Sequence, residues 1–150
     1  SISVFCNRGT SGIDGSTSTA VGAAVASAKP TLLITGDIGF LYDSNGLWNT
    51  YIPRNFKIIV INNGGGGIFR ILPGHQENPV FNTFFETAHC LTAEHLAKMF
   101  GFSYHTAGNV RVLEKSVSAF WAEDGPSILE IFTPTNVNDK VLHDYFAALA

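Results

Sequence analysis

Residues 36–67 decide the fold of this chain. The stretch begins with GDIG (residues 36–39) and ends with NNGGGG (residues 62–67), and each of these clusters directly follows an apolar run. The two runs, TLLIT at residues 31–35 and FKIIVI at residues 56–61, are typical of parallel strands covered on both faces by helices. Because ligands of such sheets bind beyond the carboxyl ends of the strands, we expect both clusters at one crevice.

The rest of the chain alternates between strand-like and helix-like segments. Strands are predicted at residues 2–6, 31–35, 56–61, 102–105 and 127–133, and helices at residues 16–28, 40–51, 93–100, 112–121 and 137–148. Thr92 is expected to cap the helix that begins at residue 93. Residues 68–72 form a short helix or an apolar lip, and residues 73–91 a long loop, functional or a lid. The alternation predicts one α/β domain, a doubly wound parallel sheet with helices on both faces.

Composition and charge exclude several classes of protein. The 150 residues suit one domain, and 45% hydrophobic against 14% charged residues predicts a surface that contacts another domain or subunit. A net charge of −3 with 9 scattered Lys and Arg residues argues against a nucleic-acid partner. No apolar run approaches the roughly 20 residues of a membrane span, and the first residues lack the basic flank of a signal peptide. We therefore expect a cytoplasmic protein.

The two cysteines and five histidines predict no zinc site. Cys6 and Cys90 lie far apart, so we expect reduced, buried thiols, and the histidines show neither an i,i+4 pair nor an HExxH pattern. The glycine clusters also fail as nucleotide motifs. GTSGIDG at residues 9–15 has the wrong spacing for GxGxxG, GGGGIF at residues 64–69 ends in Phe where a glycine is needed, and no Walker lysine follows either cluster.

Asp37 and Asn63 offer a different chemistry. Carboxylate and amide oxygens are hard donors, and Mg²⁺ prefers a few of them together with phosphate oxygens and water. The adjoining glycines allow carbonyl groups to turn inward and amide groups to approach an anion. Either element alone is also typical of a helix cap or a turn. Both together, separated by a helix and a buried strand, favour a metal-diphosphate site.

This combination resembles the thiamine diphosphate motif, and the whole chain resembles the pyrophosphate-binding domain of that enzyme superfamily. The resemblance implies thiamine diphosphate with Mg²⁺, or alternatively Mn²⁺, as cofactors. It implies that Asp37, Asn63 and the backbone carbonyl of Gly65 ligate the metal. It further implies that Gly36, Ile38 and the amides of the glycine run at residues 64–67 hold the diphosphate. The cofactor-binding residues of these loops are thus Gly36, Asp37, Ile38, Asn63, Gly65, Gly66 and Gly67.

A second stretch of the sequence resembles one particular family within this superfamily. NRGTSGIDG at residues 7–15, followed by STA at residues 18–20, is similar to the signature of the SEPHCHC synthase (MenD) family of menaquinone biosynthesis. That family decarboxylates 2-oxoglutarate and joins the product to isochorismate. The resemblance implies that Arg8 binds a substrate carboxylate, although a structural role in its loop is the alternative. The segment that would touch the aminopyrimidine is Ser11, Gly12 and Ile13. The residues that would lie beside the thiazolium are Ile68 and Phe69, for which ordinary core packing is the alternative.

The resemblance also implies that part of the enzyme lies outside this chain. The superfamily activates the cofactor with a glutamate from a pyrimidine-binding domain of a second subunit, and no glutamate here sits in a matching motif. We expect a C-terminal fragment, inactive alone, of a homodimer or homotetramer. Three alternatives stay open: an acetolactate synthase-like or 2-oxoacid decarboxylase relative, a non-catalytic α/β binding module, and a nucleotide-binding regulator.

Overall fold

Four parallel strands form the single sheet of the computed structural model, which describes residues 2–7, 9, 12–27, 29–72, 74 and 77–149. The strands are β1 (Thr31–Gly36), β2 (Phe56–Asn62), β3 (Ser103–Ala107) and β4 (Ser127–Phe132). They pair in the order β1-β2-β4-β3, with every neighbouring pair parallel. The predicted parallel α/β class is confirmed.

Helices precede, separate and follow the strands along the chain. They are α1 (Ser16–Ser27), α2 (Asp37–Tyr42), α3 (Ile68–Ile71), α4 (Glu94–Phe100), α5 (Val110–Ala122) and α6 (Asn138–Ala147). A 3₁₀ turn covers Ser44–Leu47 and a π-helical turn covers Phe81–Phe85. None of the helices in the described ranges is long and apolar enough to cross a membrane.

The two faces of the sheet carry different helices. Because side chains alternate along a strand, Ile58 and Lys57 of β2 point to opposite faces. Ile58 belongs to the main core with Val21 of α1 and Ala97 of α4. Lys57 lies on the other face, with its ammonium 5.6 Å from the Phe120 ring of α5. Helices therefore cover both faces, as a doubly wound sheet requires.

The first two predicted strands differ from their predictions. Residues 2–6 form no strand, and the side chains of Ile2, Val4 and Phe5 are exposed. A strand needs a neighbour that accepts its backbone hydrogen bonds, and no described strand lies beside this segment. Likewise β1 is an edge strand whose Leu32 and Ile34 are 38% and 63% exposed, so helices cover only one of its faces. The prediction of two covered faces is wrong there.

Tertiary contacts shorten the helix predicted for residues 40–51. It begins at Asp37, ends at Tyr42 and continues only as the 3₁₀ turn. The Asp43 carboxylate accepts hydrogen bonds from the backbone amide and hydroxyl of Ser18, at 2.7 and 2.8 Å, which draws the chain onto α1. Gly46 also contacts Ser18 so closely that a Cβ would come within 2.7 Å of its hydroxyl oxygen.

Two smaller predictions are also wrong. Thr92 does not cap α4, because the N-cap residue is Ala93, and the Glu130 carboxylate accepts the Ala93 amide at 3.0 and 3.1 Å. Cys6 and Cys90 are free but exposed rather than buried, since both lie on segments outside the regular elements. By contrast, α5 begins with an ordinary side-chain cap, in which Asn109 accepts the amide of Val112 at 3.0 Å.

Candidate functional site

The polar clusters of the sequence meet at the carboxyl edge of β1 and β2. These strands are neighbours, and the last residue of β1, Gly36, pairs with Ile61 near the end of β2. Asp37 therefore leaves the sheet beside Asn62 and Asn63. The glycine run at residues 64–67 leads from there into α3.

Asp37 is held in one orientation by backbone amides. Only 3% of the residue is exposed, and its Oδ2 accepts the amides of Gly64 and Gly65 at 2.8 and 3.0 Å. Its Oδ1 accepts the amide of Ile38 at 2.8 Å. These three hydrogen bonds fix the positions of both carboxylate oxygens beside the glycine run.

Polar atoms of three residues converge at this point. One atom of the Asn63 amide lies 2.7 Å from the Gly65 carbonyl oxygen and 3.3 and 3.2 Å from the two Asp37 oxygens. As a nitrogen, this atom donates hydrogen bonds to those oxygens, and this orientation satisfies both ends of the amide. With the amide turned over, its oxygen would join the Asp37 and Gly65 oxygens in a set of hard donors that suits Mg²⁺.

The oxygen donors at this point differ from those of a zinc site. Carboxylate, amide and carbonyl oxygens suit Mg²⁺ or Mn²⁺, whereas zinc sites use His and Cys. Within the described ranges, no three His, Cys, Asp or Glu side chains cluster in a way that could hold a metal.

Two glycines allow the oxygens to approach one another. Gly65 has a φ of 155°, and a Cβ there would come within 2.6 Å of the Glu86 carbonyl oxygen. A Cβ on Gly67 would overlap the Asn63 amide. Any other residue at position 67 would therefore displace the side chain that faces Asp37.

The amides of the glycine run already donate hydrogen bonds within the protein. Those of Gly64 and Gly65 bind Asp37, that of Gly66 binds the Glu86 carbonyl at 2.5 Å, and that of Gly67 binds the Gly65 carbonyl at 3.0 Å. A diphosphate would reach them only by replacing one of these bonds. Most of the amides expected to bind the diphosphate therefore already donate hydrogen bonds to the proposed metal ligands, Asp37 and the Gly65 carbonyl.

A cavity of about 330 Å³ opens beside Asp37. Its volume falls within the range of small-molecule sites. Most of the residues expected to bind the cofactor line it, namely Gly12, Ile13, Gly36, Asp37, Ile38, Asn63, Gly65, Gly67 and Ile68. Four residues that sequence analysis missed also line it: Ser16, Thr35, Gly39 and Ile61. They immediately adjoin the predicted loops, which is the only signal that could have found them.

Four expected site residues are not placed in this cavity. Gly66 and Phe69 are not among its lining residues. Phe69 instead packs edge-to-face on Phe85, with ring centroids 5.9 Å apart, as in the core alternative considered above. Arg8 and Ser11 lie outside the described residues.

The segment of residues 77–91 holds the glycine run in place. The Gly66 amide binds the Glu86 carbonyl, and the His89 amide binds the Gly64 carbonyl at 3.0 Å. The Arg70 guanidinium forms a bidentate ion pair with the Glu86 carboxylate, and both side chains are more than 90% buried. This hydrogen bonding to Glu86 raises the pKa of Arg70 further above its ordinary value. The described part of the predicted loop, residues 77–91, therefore contacts the glycine run, and its role as a functional loop or a lid stays a prediction.

Sequence analysis missed His89, whose side chain lies beside Asp37. Its Nε2 lies 3.4 Å from Oδ2 of Asp37, and its side chain is only 10% exposed. A lone histidine in a segment without periodicity carries no signal of such a position. Only the folding of residues 77–91 over the glycine run brings it there.

A second buried carboxylate lies nearby, on β4. Glu130 is 1% exposed and accepts hydrogen bonds from the Asn62 amide at 2.7 Å, from the Ala93 amide and from the Tyr104 hydroxyl. Burial, and then the hydrogen bond to Glu130, raise the pKa of Tyr104 above its ordinary value. Asn62 also donates to the Leu91 carbonyl at 2.9 Å. The two asparagines of the motif thus differ, because Asn62 is structural and Asn63 faces Asp37.

Comparison with known proteins gives related sequences. A protein named 2-succinyl-5-enolpyruvyl-6-hydroxy-3-cyclohexene-1-carboxylate synthase from Flavobacterium johnsoniae is 68% identical over 150 residues, which is 99% of this chain and 27% of that protein. Proteins of the same name from Christiangramia forsetii and Bacteroides fragilis are 54% and 39% identical over 97% and 99% of this chain. The chain spans about a quarter of the length of these relatives (27%, 26% and 27%).

A solved structure and a family model agree on the fold. The thiamine diphosphate-dependent 4-hydroxybenzoylformate decarboxylase of Rhodococcus jostii superposes with a TM-score of 0.61 at 25% identity, covering 77% of this chain and 22% of that one. The family model described as "Thiamine pyrophosphate enzyme, C-terminal TPP binding domain" matches residues 3–131. The chain therefore belongs to the family of C-terminal TPP-binding domains of thiamine pyrophosphate enzymes.

Proposed function

We propose that this chain is the C-terminal diphosphate- and metal-binding domain of a longer SEPHCHC synthase. The whole enzyme would decarboxylate 2-oxoglutarate and join the resulting four-carbon unit to isochorismate in menaquinone biosynthesis. The main observation in support of the cofactor site is that Asp37, Asn63 and the Gly65 carbonyl lie close together beside the cavity. The choice of reaction is supported by the 68% identity to a relative of that name.

The residues of this chain would bind and orient the cofactor. Asp37, Asn63 and the Gly65 carbonyl would hold Mg²⁺ or Mn²⁺, and the ion would supply positive charge to offset the charge of the diphosphate. Thiamine diphosphate, when bound, supplies the electron sink that allows a 2-oxo acid to lose its carboxylate. Ile68 lines the cavity and is 63% exposed, so its side chain would form an apolar wall that keeps water from the reacting centre.

Substrate binding and activation would involve further groups. Arg8 would pair with a carboxylate of 2-oxoglutarate or isochorismate, because its planar guanidinium suits bidentate binding. The glutamate that activates the cofactor would come from the pyrimidine-binding domain of a second subunit, in a homodimer or homotetramer. Transferase chemistry, a cytoplasmic location and inactivity of residues 1–150 alone all follow from this proposal.

An enzyme of the acetolactate synthase or 2-oxoacid decarboxylase type is the second candidate. It is favoured by the similarity in structure to a decarboxylase named for a different 2-oxo acid. Such an enzyme would use the same metal site. The signature at residues 7–15 and the named relatives support the first candidate over it.

Turnover by the full-length protein tests the proposal. CO₂ release from 2-oxoglutarate and loss of isochorismate would be followed with and without thiamine diphosphate and Mg²⁺, with pyruvate as the control donor. We expect turnover that requires both cofactors and both substrates. Cofactor-dependent turnover of pyruvate instead would favour the second candidate. Turnover by residues 1–150 alone would contradict the need for a partner domain.

A further inference from the structure

His89 is a buried polar group whose ring has one unsatisfied nitrogen. Its side chain is 10% exposed, and its Nε2 makes no hydrogen bond within the described part of the chain. Leaving a buried donor without a partner destabilises the folded protein. Such a group in a folded protein calls for an explanation, and a bound ion or ligand is a common one.

The other ring nitrogen fixes where the proton lies. Nδ1 of His89 accepts the backbone amide of Leu91 at 3.0 Å. A ring nitrogen that accepts a hydrogen bond carries no proton, so Nε2 is the N–H donor. That donor lies 3.4 Å from Oδ2 of Asp37, whose side chain is 4% exposed. The pair is therefore one short movement away from a hydrogen bond.

The backbone ties this donor to the metal-binding loop. The His89 amide donates to the Gly64 carbonyl at 3.0 Å, while the Gly64 amide donates to Asp37 at 2.8 Å. Each of the residues His89, Gly64 and Asp37 therefore contacts the other two. A small shift of Asp37 or of the loop would close the gap of 3.4 Å between Nε2 and Oδ2.

We propose that His89 is a positioning residue for Asp37. When the cation draws the Asp37 carboxylate into place, the Nε2–H of His89 donates to Oδ2 and fixes the orientation of the ligand. The inference rests on the proposed metal site and adds a residue to its surroundings. Partners that orient a ligand in this way are typically worth 10- to 100-fold in metal affinity.

Two conservative substitutions separate this role from a local structural one. His89→Gln places an amide N–H near the position of Nε2 but loses the acceptor for the Leu91 amide. His89→Asn keeps an acceptor near Nδ1 but is too short to reach Asp37. A role in orienting Asp37 and a role in the turn at Leu91 therefore predict opposite rankings of the two variants.

The experiment measures the apparent Kd for Mg²⁺ by calorimetry in the full-length protein at saturating thiamine diphosphate. Thermal unfolding of each apoprotein is the control for folding. We expect His89→Asn to raise the Kd by about 10-fold, and His89→Gln to stay within about 3-fold of wild type. An unchanged Kd in His89→Asn, or a larger loss in His89→Gln, would overturn the inference. A wild-type protein that binds no Mg²⁺ with thiamine diphosphate would overturn both this inference and the proposed metal site.

Discussion

Asp37 and Glu130 are both buried carboxylates near the carboxyl ends of strands β1 and β4, which lie on either side of β2, yet their surroundings differ. Glu130 accepts hydrogen bonds from the Asn62 amide, the Ala93 amide and the Tyr104 hydroxyl. Asp37 also accepts three amides, but it additionally faces the Asn63 amide and borders a cavity.

Burial and charge therefore do not by themselves identify a carboxylate as part of a functional site. Around Glu130 the donors satisfy the carboxylate, so the network serves to join β2, β3 and β4 to the start of α4. Around Asp37 three backbone amides likewise satisfy the carboxylate, but the Asn63 amide also faces it and open space adjoins it. The open space beside the buried carboxylate, and not its burial or charge alone, supports the proposed cation site.

The largest expected effect is the loss of cofactor binding in Asp37→Asn. The substitution keeps the shape of the side chain but removes the charge that the metal requires. Outer partners of metal ligands are worth 10- to 100-fold, so losing a direct ligand should raise the apparent Kd for Mg²⁺ by about 100-fold or more. Calorimetry on the full-length protein would measure this. The exposed Asp144→Asn on α6 is the matched control, and equal Kd values in the two variants would contradict the assignment.

Glu130→Ala should show the opposite pattern. It leaves three buried donors without an acceptor, each worth on the order of 1–3 kcal/mol, so the midpoint of thermal unfolding should fall clearly. The Kd for Mg²⁺ of the protein that remains folded should stay near wild type. The exposed Glu114→Ala serves as control. A loss of Mg²⁺ affinity without a loss of stability would show that the two carboxylates do not differ in role.

Gly67→Ala should have an intermediate effect. The new Cβ would displace the Asn63 amide, so we expect roughly a 10-fold rise in the Kd for Mg²⁺. Gly22→Ala is the matched control, because Gly22 lies in α1 with no atom within 4 Å of the added Cβ. That control should stabilise the protein by about 0.5–1 kcal/mol through helix propensity. A Gly67→Ala protein that binds Mg²⁺ like wild type would argue against a tight approach of Asn63.

The smallest expected effect is that of Tyr104→Phe, which removes one donor to Glu130 and should cost about 1 kcal/mol near neutral pH. Because the fold raises the pKa of Tyr104, the unfolded chain loses its proton first as the pH rises past about 10. This contribution to stability is therefore present below that pH and is lost above it. Urea unfolding of both proteins from pH 8 to 11 should show a difference that shrinks with pH. A constant difference would contradict the raised pKa.

Sequence alone determined the parallel α/β class, most strands and the place of the site. The apolar runs of β1 and β2 have the length and composition of buried strands, and parallel strands bring their carboxyl ends to one edge. Local propensity could therefore place Asp37 and Asn63 together. Resemblance to a known signature then supplied the cofactor and the candidate reaction.

Only the tertiary structure decided which groups surround the site and where several elements end. The early end of α2 depends on Asp43 binding Ser18, and the exposure of residues 2–6 depends on the lack of a neighbouring strand. The different roles of Asn62 and Asn63, and the position of His89, depend on contacts between residues 25 to 68 positions apart. Such contacts leave no local pattern in a sequence, because they are set by how the elements pack and not by the propensities of neighbouring residues.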